Sequence, residues 1–392
     1  MDTFEKIIQL SEERLITPSG LSLVGQLLGK SRFIKKCNTM KVDSKRSQSQ
    51  IKNGDILLSY IGLLCQGKTA YEDIRKMLED PGYYEQALGI TSTIPSAETL
   101  RQRMDDIGSS LRRNILDVNV EMFHTYNMEP TPISEEFVPV DLDVTPLDNS
   151  KTYKEGVLYN YKGYFGYAPM MAYIGAEGFL VNTELREKSQ RCQYNTPAFL
   201  SETLNYSHQL TEKQLFVRMN SGNDSAENLG ILIEDGSRFI VKNNLRRGES
   251  KQEWLDKVKE CCKDICHPRD GKTIYVGSLW KAVNYTDVEG NSKTVTTRIV
   301  YKVIERTMDK NGQLLILPDI ECNTFWTNLD WNDDAVIKGY HAHGECEQYH
   351  SEIKTDMDVE WLPSGKFETN ELVLELTILA YNILRMIGQA SL

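Results

Sequence analysis

Residues 339–354 read GYHAHGECEQYHSEIK, and on a helix one face of this stretch carries a phenol, two imidazoles, a carboxylate and an ammonium. At about 100° per residue, Tyr340, His343, Glu347, His350 and Lys354 fall within an arc of roughly 80°. A carboxylate flanked by hydrogen-bonding and cationic groups is what a metal-dependent nuclease needs, because it can hold a divalent ion while its neighbours grip phosphate. Taken alone, the stripe is equally a solvated helix face.

A second acidic element lies far upstream in FVPVDLDVTP. Val138, Val140, Leu142 and Val144 alternate with Pro139, Asp141, Asp143 and Thr145, so a strand here turns its apolar row one way and both aspartates the other. Neighbouring carboxylates on a buried strand require a compensating cation, since each costs several kcal/mol to desolvate unpaired. A third strand follows, with Leu215, Val217 and Met219 alternating with Phe216, Arg218 and Asn220 before Ser221 and Gly222 turn the chain.

The spacing from Tyr340 through His343 and Glu347 to Lys354 resembles the YREK signature of bacterial insertion-sequence transposases with an Asp-Asp-Glu site, with His343 in the arginine's place. The phrases DNSKTYKEGV, YKGYFGYAPM, VRMNSGNDSAENL, TNLDWND and LPSGKFETNELVLELTILAYNILR are similar to the insertion-sequence thirteen-eighty family in the same order, from about Pro95 onward. The resemblance implies an α/β fold with a ribonuclease-H-like catalytic core, a β-rich insertion and a helical N-terminal domain. It makes Asp143 the first metal-binding aspartate, with Asp141 as a supporting neighbour, and Glu347 the last acid. Position 220 should hold the second aspartate but is Asn220, and an amide is a poor ligand for a hard cation. Either this copy is inactive or the site is rebuilt around Asp224.

The resemblance further implies two Mg²⁺ or Mn²⁺ ions held by Asp143, Glu347 and position 220, with cut-and-paste cleavage and strand transfer. A catalytically dead DNA-binding relic is the alternative. The DNA partners would be terminal inverted repeats and target DNA, engaged by a homodimer in a synaptic complex. Tyr340, His343 and Lys354 would contact phosphate next to the scissile bond. The expected divisions are a helical DNA-binding region at 1–133, the first part of the core at 134–250, the β-rich insertion at 251–331, and the catalytic and C-terminal helices at 332–392.

Composition fits a protein of two or three domains: 392 residues, 40% hydrophobic and 26% charged. Charged residues at Asp2, Glu5 and Lys6 argue against a signal peptide, and the apolar stretch 372–387 is broken by Glu375 and Arg385, which leaves no membrane span. Eight cysteines without a regular framework suit reduced thiols, and the expected location is a bacterial cytoplasm, associated with the nucleoid. The cluster of Cys261, Cys262, Cys266 and His267 lacks a CxxC pair, which argues against structural zinc.

The net charge of −11 is unfavourable for binding phosphate, so local patches decide. Residues 29–54 hold eight lysines and arginines, among them Lys35 and Lys36, against Asp43 alone. A second patch comprises Arg238, Lys242, Arg246, Arg247 and Lys251.

Upstream of the first strand, Ser96 after Pro95 is set to cap a helix whose stripe runs Leu100, Met104, Ile107, Leu111, Ile115, Val118 and Met122. Core strands are expected around Asp143 and at 164–174, 179–184, 215–220 and 239–243, and insertion strands at 272–276, 294–304 and 314–320, with DKNG as a hairpin turn. Trp280, Trp326 and Trp331 belong to or border the insertion, where an aromatic ring could stack on a flipped base; Trp326 is the candidate, and core packing is the competing role for each ring.

If residues 30–52 grip phosphate, reversing the charge at Lys35 and Lys36 should weaken binding to unrelated duplexes as much as to transposon ends, and flatten the salt dependence. Titrations of DNA binding at several salt concentrations check this; unchanged affinity and slope would make the stretch plain solvated surface.

Overall fold

The alternating strand 137–144 forms an interior strand of one large sheet. A computed structural model describes residues 18–40, 50–159, 163–186, 195–245, 249–287 and 289–391. Its strands are β1 (Phe137–Val144), β2 (Leu147–Asp148), β3 (Leu158–Tyr159), β4 (Phe165–Tyr167), β5 (Met170–Ile174), β6 (Phe179–Glu184), β7 (Gln214–Met219), β8 (Arg238–Lys242), β9 (Asp264–Arg269), β10 (Lys272–Thr286), β11 (Ser292–Met308) and β12 (Leu314–Thr327). Nine of them form a mixed sheet in the order β6-β5-β1-β7-β8-β12-β11-β10-β9, while β2, β4 and β3 make a small separate sheet. β7 runs parallel to β1, and β8 parallel to β7, whereas β5 and β6 are antiparallel.

Period two works as the sequence implies. Val138, Val140 and Leu142 are fully buried on one face of β1, each contributing about 1.5–3 kcal/mol of burial. The opposite face carries Asp141 and Asp143. The expected strand at 164–174 is two strands in two sheets, because Pro169 offers no ladder N–H and the chain changes sheet there.

The insertion strands run far beyond their β-branched cores and join the central sheet. β12 pairs with β8 through Phe325 with Lys242, Trp326 with Val241 and Thr327 with Ile240. The DKNG turn forms as expected: the Asp309 carboxylate accepts the N–H groups of Asn311 and Gln313, and Gly312 supplies a φ of +85°.

Helices make up the N-terminal region, including Leu21–Lys30, Asn53–Leu64, Ala97–Ile107 and Arg112–Thr125. Ser96 caps as expected, accepting from Thr99 N–H at 3.2 Å, and all seven stripe residues are buried. The stripe spans two helices, however, because Gly108 (φ +51°) breaks the first and a short 3₁₀ turn starts the next. The apolar C-terminal stretch is the helix Phe367–Ala390, packed between β6 and the N-terminal helices. No helix of the described residues is long and apolar enough to cross a membrane.

That C-terminal helix buries Glu375, whose two carboxylate oxygens have no hydrogen-bond partner among the described residues and which lies 3.6 Å from Arg112. Burial pushes its pKa up from 4.5 to about 8, against the partial opposition of Arg112. The folded chain therefore holds a proton that the unfolded chain has released above about pH 4.5. Its contribution is fully present below that pH and is lost as pH rises towards 8, at up to about 1.4 kcal/mol per pH unit. Chemical denaturation across that window should show Glu375→Gln with a flatter stability profile than the parent; parallel profiles would contradict the assignment.

Candidate active site

The site begins with how Asp141 is neutralised. The parallel register sets Arg218 directly opposite it on β7. Arg218 Nε donates to Asp141 Oδ1 at 2.6 Å and its terminal nitrogen to Oδ2 at 2.5 Å, a bidentate fork between two buried side chains. His343 Nδ1 reaches the same carboxylate at 2.8 Å. Burial alone would raise the Asp141 pKa, but the hydrogen bond from His343 and the charge of Arg218 outweigh it and hold the carboxyl below its ordinary value. The compensating cation demanded by the sequence is thus a side chain. Cys346 Sγ lies near His343, and Asp141, His343 and Cys346 could together surround an ion. Arg218 already occupies both oxygens of Asp141, so this cluster is an ion-pair network.

Two residues on, Asp143 lies at the end of β1 and is only partly buried. Its Oδ1 accepts the Val144 N–H at 2.8 Å and the Asn220 amide NH₂. Asn220 sits just past the end of β7, and its own carbonyl accepts from Gly222 N–H at 3.1 Å and Asn223 Nδ2 at 3.2 Å. Those donors fix which way the amide points. Position 220 therefore meets Asp143 where the second acid was expected, but presents a donor to it. Asp224, the alternative acid, is buried and accepts the Asn244 N–H at 3.0 Å.

The helix bearing the YREK-like residues is capped by Asn332, which accepts from Ala335 N–H at 2.8 Å. It is not one regular α-helix: Asp333–His341 is α, Ala342–Glu345 is 3₁₀, Cys346–Ser351 is α and Glu352–Asp356 is a π turn. The changing pitch alters the wheel drawn at a constant 100°. His343 and His350 turn inward, to 7% and 6% exposure, while Glu347 is exposed. The helix is seated by Tyr349, whose hydroxyl donates to Ala176 O at 2.9 Å and whose ring leaves no room for a Cβ at Gly178.

Several expected roles change. His343, placed by sequence at a phosphate, is buried on Asp141, because that carboxylate needs donors more than the surface does. Trp326, expected to stack on a base, is 6% exposed within the core, since its face of β12 lies under Lys281; Trp331 packs on Phe137 and Phe216. Trp280 alone of the three is open, at 69%. Tyr340 is half-buried between Phe325 and Lys242, and burial, helped by the Asp143 charge, pushes its hydroxyl up to about 12. Lys354 holds Pro146 O and Glu360, each at 2.9 Å. Lys35 is exposed, Lys36 lies 3.9 Å from Asp117, and Arg246 falls outside the described residues, as do Lys41, Lys45 and Arg46 of the first patch.

In the sequence His350 stands only as a flanking imidazole on the helical arc, and a zinc reading of the histidines at 341, 343 and 350 gives way to hard Mg²⁺ or Mn²⁺. Its Nδ1 lies 2.9 Å from the Tyr173 hydroxyl and its Nε2 3.5 Å from Asp143 Oδ2.

Removing one member of a buried ion pair strands the other charge. Arg218→Met should lower the unfolding free energy by about 3–5 kcal/mol, and adding Asp141→Asn should recover part of the loss. Urea titrations of the three proteins measure this; a single-variant loss below about 1 kcal/mol would mean that Arg218 is not the partner the buried carboxylate depends on.

The solved structure of a piggyBac transposase synaptic complex with hairpin DNA is similar to this chain at 11% sequence identity and a TM-score of 0.45, covering 94% of this chain and 75% of that one. Comparison with curated proteins gives no match. The family model described as transposase DDE domain group 1 matches residues 8–392, and with a match of that extent the chain belongs to the DDE transposase family.

Proposed function

We propose that this chain is an insertion-sequence transposase of the thirteen-eighty, YREK type, with a ribonuclease-H-like core, whose strand cleavage is suppressed by Asn220. Its DNA partners in this reading are the terminal inverted repeats and target DNA, bound by a homodimer in a synaptic complex. The observation that carries the proposal is the contact between Asp143 and Asn220 at adjacent ends of parallel strands, beside the helix bearing Glu347. The order β6-β5-β1-β7-β8, with the last three parallel, supports the ribonuclease-H-like reading, and the long strands β10 to β12 support that of a β-rich insertion.

Two hard divalent ions do not fit the groups present. A shared pair of ions needs a carboxylate from each strand end, and position 220 offers an NH₂ that already occupies Asp143. Asp141 is no substitute, because Arg218 and His343 fill its lone pairs. In this reading the chain keeps groups for holding DNA: the half-buried Tyr340 hydroxyl, which feels the Asp143 charge, and the Lys354 ammonium, which would exchange Glu360 for a phosphate. The same contact favours a second reading, a DNA-binding relative that recognises ends without cutting them.

Asn220→Asp should cleave transposon-end duplexes with Mn²⁺ at least a few orders of magnitude faster than the parent, because a regained carboxylate restores several kcal/mol of transition-state stabilisation. DNA affinity should barely change. Gel assays of strand cleavage decide: robust cleavage by the parent that Asp224→Ala abolishes would move the second acid to Asp224, and a silent Asn220→Asp protein would favour the relic.

A further inference from the structure

Four of the five exposed aromatic rings among the described residues belong to one place. Tyr153, Tyr159 and Phe165 lie on or beside the small sheet β2-β4-β3, and Trp361 stands on the segment against which that sheet is held; Trp280 on β10 is the fifth. Tyr153 is fully exposed. Tyr159 and Phe165, at 62% and 48% exposure, are directly opposite each other on β3 and β4 and form an edge-to-face pair with centroids 5.3 Å apart. The scaffold beneath them is fixed. A Cβ at Gly166 would meet Leu147 O at 1.9 Å, so β4 approaches β2 more closely than any other residue permits. Asp148 N–H donates to Glu360 Oε1 at 2.6 Å, Asn149 Nδ2 to Glu360 O at 3.0 Å, and Lys154 Nζ to Asn149 Oδ1 at 2.8 Å and to Leu362 O. Rings left open on a rigid base lose little freedom on meeting a partner, and such a patch marks a binding surface.

The charges around the rings indicate the partner. Residues 149–167 hold three lysines, Lys151, Lys154 and Lys162, against Glu155 alone, in a chain of net charge −11; Lys162 lies outside the described residues. Glu155 is spent on the Phe367 N–H, which it accepts at 3.0 Å. Asp148, held below its ordinary pKa chiefly by hydrogen bonds from Ser150, also feels the charges of Lys151 and Lys354, so these two ammonium groups flank it. Pro146 O accepts from Lys354 Nζ at 2.9 Å and from the Tyr164 hydroxyl at 3.4 Å, which ties the β3-β4 hairpin to that lysine two residues past the end of β1. Aromatic faces interleaved with lysines suit unpaired nucleotides, since every base offers a face for stacking that a duplex keeps for its own neighbouring bases. We propose that Tyr153, Tyr159 and Phe165 form a stacking platform for single-stranded DNA, with Lys151 on its phosphates. The proposal rests on the transposase reading, in which strand cleavage frees unpaired ends beside Lys354.

The test is fluorescence anisotropy of a labelled oligothymidylate of about 16 nucleotides with the full-length chain, beside a blunt duplex. The oligomer should bind, Tyr153→Ala and Tyr159→Ala should each weaken it about tenfold, and Tyr159→Phe should retain it. Neither alanine variant should alter duplex binding or the salt slope of oligomer binding, whereas Lys151→Glu should flatten that slope. Because Tyr153 is fully exposed, its variant keeps the fold even where Tyr159→Ala does not. Absence of oligomer binding, affinity unchanged in both alanine variants, or an equal loss on the duplex would overturn the platform. So would a parent multimer that the alanine variants dissolve in light scattering at unchanged oligomer affinity, which would give the face to a second copy. Cleavage by Asn220→Asp is read separately: if it cleaves while the oligomer stays unbound, the platform fails and the transposase reading stands.

Discussion

A carboxylate in the middle of a sheet is stable only with its charge answered on the spot, and Asp141 is answered from two directions. Arg218 comes from the neighbouring parallel strand and fixes the register of β1 against β7; His343 comes from the helix and fixes that helix over the strand ends. Arg218 also donates to Gly339 O at 3.3 Å, tying the preceding helical segment to the same point. Once Asp141 is held, the two-residue repeat of the strand presents Asp143 on the same face near the strand's C-terminal end, where it is only partly buried. The network is therefore scaffold rather than reaction machinery, and its worth lies in the alignment of three chain segments distant in sequence.

The pitch changes along the helical segment 333–356 follow from the same requirement. His343 and His350 must reach aspartates two residues apart on one strand, while the positions between them belong to a helix whose own repeat does not match that spacing. The 3₁₀ turn Ala342–Glu345, which carries His343, changes the pitch between the two histidines, and a π turn follows His350 at Glu352–Asp356. Glu347 is left facing outward between two inward imidazoles.

Much of this was legible in the sequence. Strict alternation in 137–144 and 215–220 located both strands and the face carrying the aspartates, because period two survives any tertiary context that buries one side. Ser96, Asn332 and the DKNG turn were readable since caps and turns are local chemistry. What could not be read was which polar residues turn inward. A wheel at fixed pitch placed His343 and Glu347 side by side, whereas a buried charge on another strand decided that the imidazole goes in and the carboxylate out. The burial of Trp326 was out of reach for the same reason: exposure of a ring on a long strand depends on what lies across the sheet. The extension of β10 to β12 into the central sheet depends on pairing with β8, which local sequence does not encode.

The long C-terminal helix Phe367–Ala390 carries a consequence for the order in which the molecule is made. It fills the space between β6 and the N-terminal helices, so segments that leave the ribosome first wait for one of the last before their apolar faces close. His343 and His350 also emerge late. Until they do, Asp141 has Arg218 but lacks His343, and Asp143 lacks the His350 ring beside it.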